Sequence, residues 1–247
     1  MIRRFRADLH IHTVLSACAD LEMSPGAIVR VAKERNIDLI GITDHNSTLQ
    51  CSVVKELAEE AGLAVLCGTE VTTREEVHCL AYFKDLGTLE EFQEYIDLHL
   101  PSIPYSPEQF GYQAVVDRDE KIVDLIEDYL NVGISRSIDQ VEQEVHRLGG
   151  LFVPAHIERP LFGIFSQLGF IPDKLNCDGM GIMSQSIESD IRNRFMLKRD
   201  VPLVKASDAH VLHMIGSGCT VFEMNEITFD EIYKALKCID GRKTFIE

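Results

Sequence analysis

The feature of this chain that most constrains its fold is a regular alternation of short apolar runs with amphipathic helical segments. Residues 6–12 alternate polar and apolar side chains as a β-strand does, and Ser24 and Pro25 then begin a helix. Buried strands are predicted at 38–43 and 64–67, with a second helix between them. This order predicts an α/β protein with a parallel sheet, and 247 residues suit one large domain, either a barrel or a doubly wound sheet.

The alternation is interrupted in the middle of the chain. The stretch from Pro101 to Gly111 contains three prolines and no periodic pattern, which indicates a loop or the neck of an insertion. Helices are predicted over 119–130 and 137–148, so we expect a small helical insertion over about 99–148 within a single domain of residues 1–247. Its role as a substrate lid or as a dimer contact stays open. Further strands are predicted at 77–83, 151–155, 179–183, 203–207 and 219–223.

The composition excludes several classes of protein. With 24 basic and 40 acidic residues the net charge is −16, and 45% of the residues are hydrophobic, so the chain is globular and acidic rather than disordered. Because it has no basic surplus, we expect neither a long nucleic acid nor a membrane as partner. The seven cysteines include no C-x-x-C pair, which disfavours a disulfide framework and a zinc knuckle. No apolar segment has the length of a signal peptide or a membrane span, so we expect a cytoplasmic location, while the oligomeric state stays open.

Histidines concentrate at the predicted strand ends. Six of the nine lie there or within strands, and the carboxyl ends of parallel strands form the active-site face of α/β folds. In Asp8-x-His10-x-His12, alternate residues of one strand share a face, so both imidazoles can point at one metal ion, with Asp8 on the same side. A histidine pair that makes ordinary hydrogen bonds is the alternative interpretation.

Further acids and imidazoles follow other strands. The segment Asp44-His45 closes the second strand, and Asp208 with His210 closes a late one. The remaining candidates are Glu70, His78 and His156, although each of these two histidines could equally be a buried strand residue with ordinary partners. Imidazoles mixed with carboxylates, without a cysteine cluster, favour Zn²⁺, Mn²⁺ or Fe²⁺ in a hydrolytic site.

Taken together, the motifs DLHIHT, ITDH, GTE, HCLAY, PAH and SDAH resemble the PHP family, named for polymerase and histidinol phosphatase. The resemblance spans residue 8 to about residue 210, and the later GSGCTVFE is also similar. It implies a distorted (β/α)7 TIM-like barrel that holds up to three divalent metal ions. By the family pattern, one ion takes His10, His12, Glu70 and Asp208, a second takes Glu70, His78 and His156, and a third takes His45 and His210.

The chain departs from the family pattern at one metal ligand. Family members often have a further ligand six residues after the second histidine of the first motif, or an aspartate one place earlier, but here these positions hold Cys18 and Ala17. The third ion then either takes the Cys18 thiolate, uses Asp20 or Glu22, or binds weakly. A buried free thiol is the alternative interpretation of Cys18.

Three histidines and a dibasic segment lie outside the pattern. We expect His99 and His146 on helix surfaces, and His213 either facing the pocket or solvated on a loop. The segment RNRFMLKR at 192–199 is expected to be the exposed face of a helix.

The functional hypothesis is a metal-dependent phosphoesterase, either a phosphatase or a short-nucleotide phosphodiesterase. A hydroxide that bridges two ions would attack phosphorus, Asp208 or His210 would transfer a proton, and Arg159 would grip the phosphate, although a loop arginine is often merely solvated. The expected substrate is a small phosphate ester of a sugar, an amino alcohol or a nucleotide. An amidohydrolase-like C–N hydrolase and a non-catalytic metal-binding scaffold are the alternatives.

Overall fold

The computed structural model describes residues 1–197 and 201–247, which alternate between strands and helices. The strands are β1 (Arg3–Ile11), β2 (Leu39–Ile42), β3 (Ala64–Thr72), β4 (His78–Tyr82), β5 (Ala114–Val116), β6 (Ile122–Leu125), β7 (Leu151–Pro154), β8 (Met180–Ile182), β9 (Leu203–Lys205), β10 (Thr220–Met224) and β11 (Lys243–Ile246). The helices are α1 (Pro25–Glu34), α2 (Cys51–Glu60), α3 (Leu86–His99), α4 (Pro107–Phe110), α5 (Ile138–Arg147), α6 (Ile164–Leu168), α7 (Glu188–Arg194) and α8 (Phe229–Leu236), with a 3₁₀ turn at Leu212–Met214.

Seven strands form the barrel, namely β1, β2, β3, β4, β7, β8 and β9, while β10 and β11 extend the main sheet beside β1. The main sheet has the order β11-β10-β1-β2-β3-β4-β7, and β8 pairs with β9 in parallel. The amide of Asp178 donates to the carbonyl of Phe152 at 2.8 Å, which joins the β8 side to β7. The amide of His12 donates to the carbonyl of Ala209 at 3.0 Å, which joins β1 to the chain beyond β9. The predicted distorted (β/α)7 barrel is therefore confirmed.

One barrel strand runs against the others. The rhythm of the sequence predicts parallel strands, and β1, β2 and β3 are parallel, but β4 is antiparallel to both β3 and β7. A tight turn connects β3 to β4, with the amide of Thr73 bonded to the carbonyl of Val77 at 2.9 Å, and so short a connection permits only an antiparallel pair. The reversal places His78, the first residue of β4, opposite Thr72 at the carboxyl end of β3.

An apolar floor closes the barrel beneath that end. Residues from successive strands form one buried cluster that includes Leu9, Leu39, Leu66, Leu80 and Leu151. Because each barrel strand contributes alternate residues to the interior, this cluster is a packed core rather than a channel. Polar side chains at the carboxyl ends of the strands therefore lie over a dry floor.

The insertion is less helical than the sequence predicts. The helix expected over 119–130 is wrong: β5 and β6 form an antiparallel hairpin there. The Asp117 carboxylate accepts from the amides of Asp119 and Lys121, both at 2.9 Å, which stabilises the turn, and the flanking β-branched residues favour strands. The second predicted helix is confirmed as α5, with a capping box of Ser137 and Gln140.

The predicted surface helix over 192–199 is present in part. The helix expected over 192–199 corresponds to α7, which ends at Arg194, while residues 198–200 lie outside the described part of the chain. Within the described ranges, no helix has both the length and the apolar character that crossing a membrane requires.

His146 is not the surface residue that the sequence predicts, and His99 is likewise partly buried. The two nitrogens of His146 lie 2.5 Å from Glu142 Oε1 and 2.8 Å from Asp178 Oδ2. Lys237 Nζ lies 2.8 Å from the other Asp178 oxygen. This network ties α5 and α8 to the segment before β8, at the barrel end opposite the strand carboxyl ends. The hydrogen bond to Asp178, only partly offset by burial, raises the pKa of His146.

We predict that His146→Gln destabilises the protein in a pH-dependent way. Because the pKa of His146 is higher in the folded than in the unfolded chain, its stabilisation is complete below its ordinary pKa and disappears as pH rises through the raised value. We expect a loss of about 2 kcal/mol in the free energy of unfolding at pH 5.5, and a smaller loss at pH 9. Urea unfolding with a chelator present measures this, with His99→Gln as control, and an equal loss at both pH values would contradict it.

Candidate metal centre

The strand ends bring all eight predicted ligand residues together. His10 is in β1 and His12 follows it, Glu70 is in β3, and His78 begins β4. The others follow strands β2, β7 and β9: His45, His156, Asp208 and His210. All except Asp208 and His210 are almost fully buried. The predicted convergence of these side chains is therefore present in the structure.

Four of these residues have the spacing that a tetrahedral ion requires. His10 Nε2 lies 3.1 Å from His12 Nε2, and both nitrogens lie within 3.4 Å of a Glu70 oxygen and of Asp208 Oδ1. An ion about 2.0 Å from four tetrahedral ligands separates those ligands by about 3.3 Å. The separations of the two imidazole nitrogens from each other and from the two carboxylates thus match those of a tetrahedral metal site.

Glu70 lies at the centre of the whole cluster. Its Oε1 is 3.1 Å from His78 Nδ1 and 3.1 Å from His156 Nε2, and its Oε2 is 3.1 Å from His45 Nδ1. With His10 and His12, five imidazoles surround one buried carboxylate. Glu70 is therefore the residue shared between neighbouring groups of ligands.

The protonation of the cluster follows from this arrangement. Burial would raise the pKa of Glu70, but His78 and His10 hold it well below its ordinary value. Burial and the neighbouring His12 lower the pKa of His45 to about 3, so this imidazole is neutral. Burial opposes protonation of His12 too, yet its hydrogen bonds to Asp208 and Glu70 raise its pKa well above the ordinary value. Since neutral imidazoles and ionised carboxylates are the forms that bind metals, His45 and Glu70 already have the required form, whereas His12 must release a proton when an ion binds.

Several polar atoms of these residues make no well-directed hydrogen bond. They are buried and belong to four of the eight residues: His45 Nδ1, His78 Nδ1 and Nε2, His156 Nδ1 and Asp208 Oδ1. An unpaired buried polar atom is costly, and divalent ions would satisfy those that face the other ligands, namely His45 Nδ1, His78 Nδ1 and Asp208 Oδ1. Their imidazole and carboxylate chemistry suits zinc, manganese or iron. The donor set therefore fits the metal group that the sequence predicts.

A further group consists of His12, His45 and His210, whose ligand atoms lie within 4.8 Å of one another. His210 Nδ1 donates to the carbonyl of Asp208 at 2.8 Å, which leaves Nε2 free for a ligand role. Cys18 is an exposed residue outside the three ligand groups of the described chain. Desolvation of its sulfhydryl raises the Cys18 pKa, which favours the thiol. Asp20 and Glu22 are also exposed and outside these groups.

A buried hydrogen-bond chain orients His12. Ser16 Oγ lies 2.9 Å from His12 Nδ1 and donates to Asp44 Oδ1 at 2.7 Å. Asp44 also accepts from the Thr13 amide at 2.7 Å. This chain turns Nε2 of His12 toward the cluster, as a second layer of hydrogen bonds does in metal sites. Sequence reasoning missed Ser16, and it paired Asp44 only with His45.

Asp8 does not join the ligands, although the sequence places it on their side of the strand. Its carboxylate accepts from the amides of Ser207 at 2.9 Å and Gly216 at 2.6 Å. It thereby fixes the segment that carries Asp208. Asp208 itself has φ = 51° and His156 has φ = 26°, both in the left-handed region that non-glycine residues rarely adopt. Such conformations cluster at functional sites.

Arg159 lies at the rim of the cluster, where the sequence predicts a phosphate-binding group. Its Nη1 donates to Asp208 Oδ2 at 3.2 Å, and 38% of its side chain is exposed. The neighbouring Glu158 was not predicted. It is buried, its Oε1 accepts from the Met183 amide at 2.8 Å, and its Oε2 has no partner. His213, left open by the sequence, is an exposed residue of the 3₁₀ turn at Leu212–Met214.

Comparison with protein families identifies two matching regions. A family model described as PHP domain matches residues 8–148, and a model described as PHP-associated matches residues 191–239. The uncharacterized protein MJ1587 of Methanocaldococcus jannaschii is 32% identical over 151 residues, covering 54% of this chain and 88% of that protein. The uncharacterized protein YqxK of Bacillus subtilis is 24% identical over 278 residues, covering 98% of this chain and 64% of that protein.

Among solved structures, the fold is similar to that of endonuclease Q. The lesion-specific endonuclease of Pyrococcus furiosus aligns with a TM-score of 0.75 at 23% identity, over 98% of this chain and 58% of that chain. An endonuclease Q complex with a 27-mer duplex, which carries an abasic lesion at the active site, aligns with a TM-score of 0.72 at 20% identity. This chain therefore spans 58% of the endonuclease chains and 64% of YqxK.

The expectation that no long nucleic acid is a partner is wrong. A protein with this fold holds a DNA duplex at its active site, and the alignment covers 98% of the present chain. Net charge describes the whole molecule, whereas a phosphate responds to the field at the site, where bound cations and a few local side chains dominate. A net acidic charge therefore does not exclude a nucleic acid as partner.

We predict that Glu70→Ala abolishes metal binding at more than one position, because Glu70 contacts ligands of two groups. Elemental analysis after reconstitution with zinc or manganese measures the bound ions. Added metal should raise the Tm of the wild type, and we expect this rise to disappear in the variant. Glu231→Ala is the control, since Glu231 is also buried but pairs with Arg242, 2.8 Å away. Full metal content in Glu70→Ala would refute the assignment.

We predict that Cys18→Ser leaves the number of bound ions unchanged, because Cys18 lies outside the ligand groups and its thiol is favoured. Zinc titration with elemental analysis measures the number and affinity. Loss of one ion, or a zinc affinity reduced about 10-fold, would instead assign the thiolate as a ligand.

Proposed function

The chain belongs to the PHP domain family, and from this premise we propose that it is a metal-dependent phosphoesterase that hydrolyses phosphodiester bonds in nucleic acid. The observation that carries the proposal is the group of five imidazoles around the Glu70 carboxylate, with Asp208 and His210 at its rim. We further propose that residues 1–247 act as one PHP-type domain with an insertion at about 99–148.

The proposed cofactors are up to three divalent ions, of zinc, manganese or iron. When bound, such ions lower the pKa of water to near neutrality and neutralise phosphate charge. The proposed ligand sets are His10, His12, Glu70 and Asp208 for one ion, Glu70, His78 and His156 for another, and His45 and His210 for a third. Two observations support these sets: His78 Nδ1 and Asp208 Oδ1 make no well-directed hydrogen bond, and His156 Nε2 lies 3.1 Å from Glu70 Oε1.

Proton transfer is assigned to Asp208 or His210. Their side chains are 19% and 23% exposed, whereas His10, His12, Glu70 and the other ligands are at most 4% exposed. A group that releases a proton to solvent needs this access. The hydrogen bond from His210 to the Asp208 carbonyl keeps the two groups in fixed relative positions.

Arg159 is assigned to the phosphate. Its guanidinium presents several N–H donors in one plane, of which one contacts Asp208 and the others remain available to two non-bridging oxygens. Its contact with Asp208 Oδ2 places this charge directly beside the proposed ligands. Phosphoryl transfer requires mainly positioning and charge neutralisation, which such a side chain provides at a metal cluster.

The nucleic-acid substrate rests on the likeness in fold to endonuclease Q. That likeness extends over 98% of this chain and includes a complex in which DNA occupies the active site. The identity is 20%, so it supports the class of bond and the class of polymer but no particular lesion or sequence.

We predict that the protein reconstituted with manganese or zinc cleaves a labelled oligonucleotide, and that Arg159→Ala lowers kcat/KM about 100-fold without loss of metal. Arg147→Ala is the matched control, because Arg147 lies on α5 and pairs with Glu144 and Glu91. Gel analysis of the products and elemental analysis of the protein give the two readouts.

The same preparation should be tested on phosphomonoesters and on amides. Cleavage of amides alone would replace the proposal by a C–N hydrolase. Full metal content without turnover of any of these substrates would replace it by a metal-binding scaffold.

A further inference from the structure

Three aromatic residues of the insertion contact one another through the ring of Tyr129, and an exposed fourth, Tyr112, lies two residues after Phe110; the metal centre uses none of them. We call Tyr105, Phe110, Tyr112 and Tyr129 the aromatic platform. The Tyr129 ring lies 5.6 Å from that of Tyr105 and 5.4 Å from that of Phe110, measured between centroids. Phe110 is 51% exposed and Tyr112 is 45% exposed. Large exposed rings of this kind mark an interaction surface.

The platform segment packs against the loop that follows β1 and the ligand His12. Gly111, between Phe110 and Tyr112, approaches this loop so closely that a Cβ would lie 2.0 Å from the carbonyl oxygen of Ala17. Ala17 follows Ser16, whose hydroxyl lies 2.9 Å from His12 Nδ1. The platform and the first ligands are therefore neighbours through one short segment.

Buried amide side chains hold the platform in place. Gln113 Oε1 accepts from the Leu130 amide at 2.9 Å, and its Nε2 donates to the Asp128 carbonyl at 2.8 Å. Asn46, which follows the ligand His45, donates through Nδ2 to the Leu130 carbonyl at 2.6 Å. Tyr112 thus precedes Gln113, and Tyr129 lies between Asp128 and Leu130, whose backbone groups these hydrogen bonds hold in place. Rigid rings lose little conformational entropy when a ligand stacks on them.

The charge of the insertion determines which part of a nucleotide the platform suits. Residues 100–137 carry three basic and seven acidic side chains, a net charge of −4. Two of the three basic residues, Arg118 and Lys121, pair with carboxylates. This surface therefore offers little to a phosphate backbone, whereas every base has a π face that stacks on an aromatic ring whatever the surrounding charge.

We infer that the aromatic platform stacks an unpaired nucleobase next to the phosphodiester that is cleaved at the metal centre. The inference rests on the proposed function and specifies it: the site would take a nucleotide whose base has left the helical stack. A protein partner is the other class of ligand for exposed rings. The nucleobase is favoured because Gly111, within the platform segment, packs against Ala17 on the loop that follows the ligand His12.

The test compares two single-stranded hexamers that have the same number of phosphates, one of thymidine and one of abasic tetrahydrofuran nucleotides. We expect the wild type to have a KM about 10-fold lower for the thymidine hexamer, and Phe110→Ala with Tyr112→Ala to reduce this ratio to near one. Phe110→Trp should retain the preference. Tyr233→Ala is the matched control, because Tyr233 is 43% exposed on α8, at the opposite end of the barrel.

The possible results distinguish a failure of this inference from a failure of the proposed function. An unchanged ratio in the double variant would overturn the inference while leaving the proposed function intact. The same holds if the double variant alters only self-association in sedimentation, which would indicate a protein contact. If the wild type cleaves neither hexamer, the proposed function fails; a 2-aminopurine hexamer then tests the platform by binding alone, and equal fluorescence quenching by wild type and double variant would overturn the inference.

Discussion

A single buried carboxylate determines how the mouth of this barrel is built. Glu70 is 1% exposed, and five imidazoles from four strands and their following loops surround it. A carboxylate without counter-charge is expensive to bury, so the strand ends that carry these histidines must converge on it. The same oxygens belong to more than one group of ligands. The position of Glu70 therefore couples the packing of the barrel to the chemistry of its open end.

The reversed strand β4 serves this arrangement. A parallel strand after β3 would have placed His78 at the far end of the barrel, on the side of the apolar floor. Because β4 returns antiparallel, its first residue pairs with Thr72, and His78 reaches Glu70 at 3.1 Å. The distortion of the barrel is thus linked to its site: one strand is inverted, and one more imidazole joins the carboxylate. Loops of unusual conformation complete the cluster, since His156 and Asp208 both have positive φ.

Sequence patterns predicted the α/β class and the eight candidate residues because each depends on short-range information, namely a periodic strand with a polar residue at its end. The barrel itself was predicted only by the resemblance to the PHP family. The β5–β6 hairpin was not predicted, since helix and strand patterns are ambiguous over short apolar runs. The strand β4 was predicted but its direction was not, because that depends on the tight turn after β3, which the alternation of strands and helices does not reveal. The roles of Ser16 and Asp8 were also missed. Ser16 contacts Asp44, 28 residues away, and Asp8 contacts Ser207, 199 residues away, so only the folded chain brings them together.

The overall charge of −16 and the chemistry of the site act at different ranges. Beyond about 10 Å, salt screens the acidic surface, so its repulsion mainly slows the approach of a polyanion. At the cluster, carboxylates and neutral imidazoles are arranged to hold cations, and Arg159 adds a positive charge at the rim. The protein therefore attracts phosphate only within a few ångströms of the metal cluster. Under the proposed function, selectivity comes from uncharged contacts beside that point. The rings that we infer to make them flank Gln113 and Leu130, whose positions are held by hydrogen bonds from Gln113 and Asn46 to the Leu130 backbone.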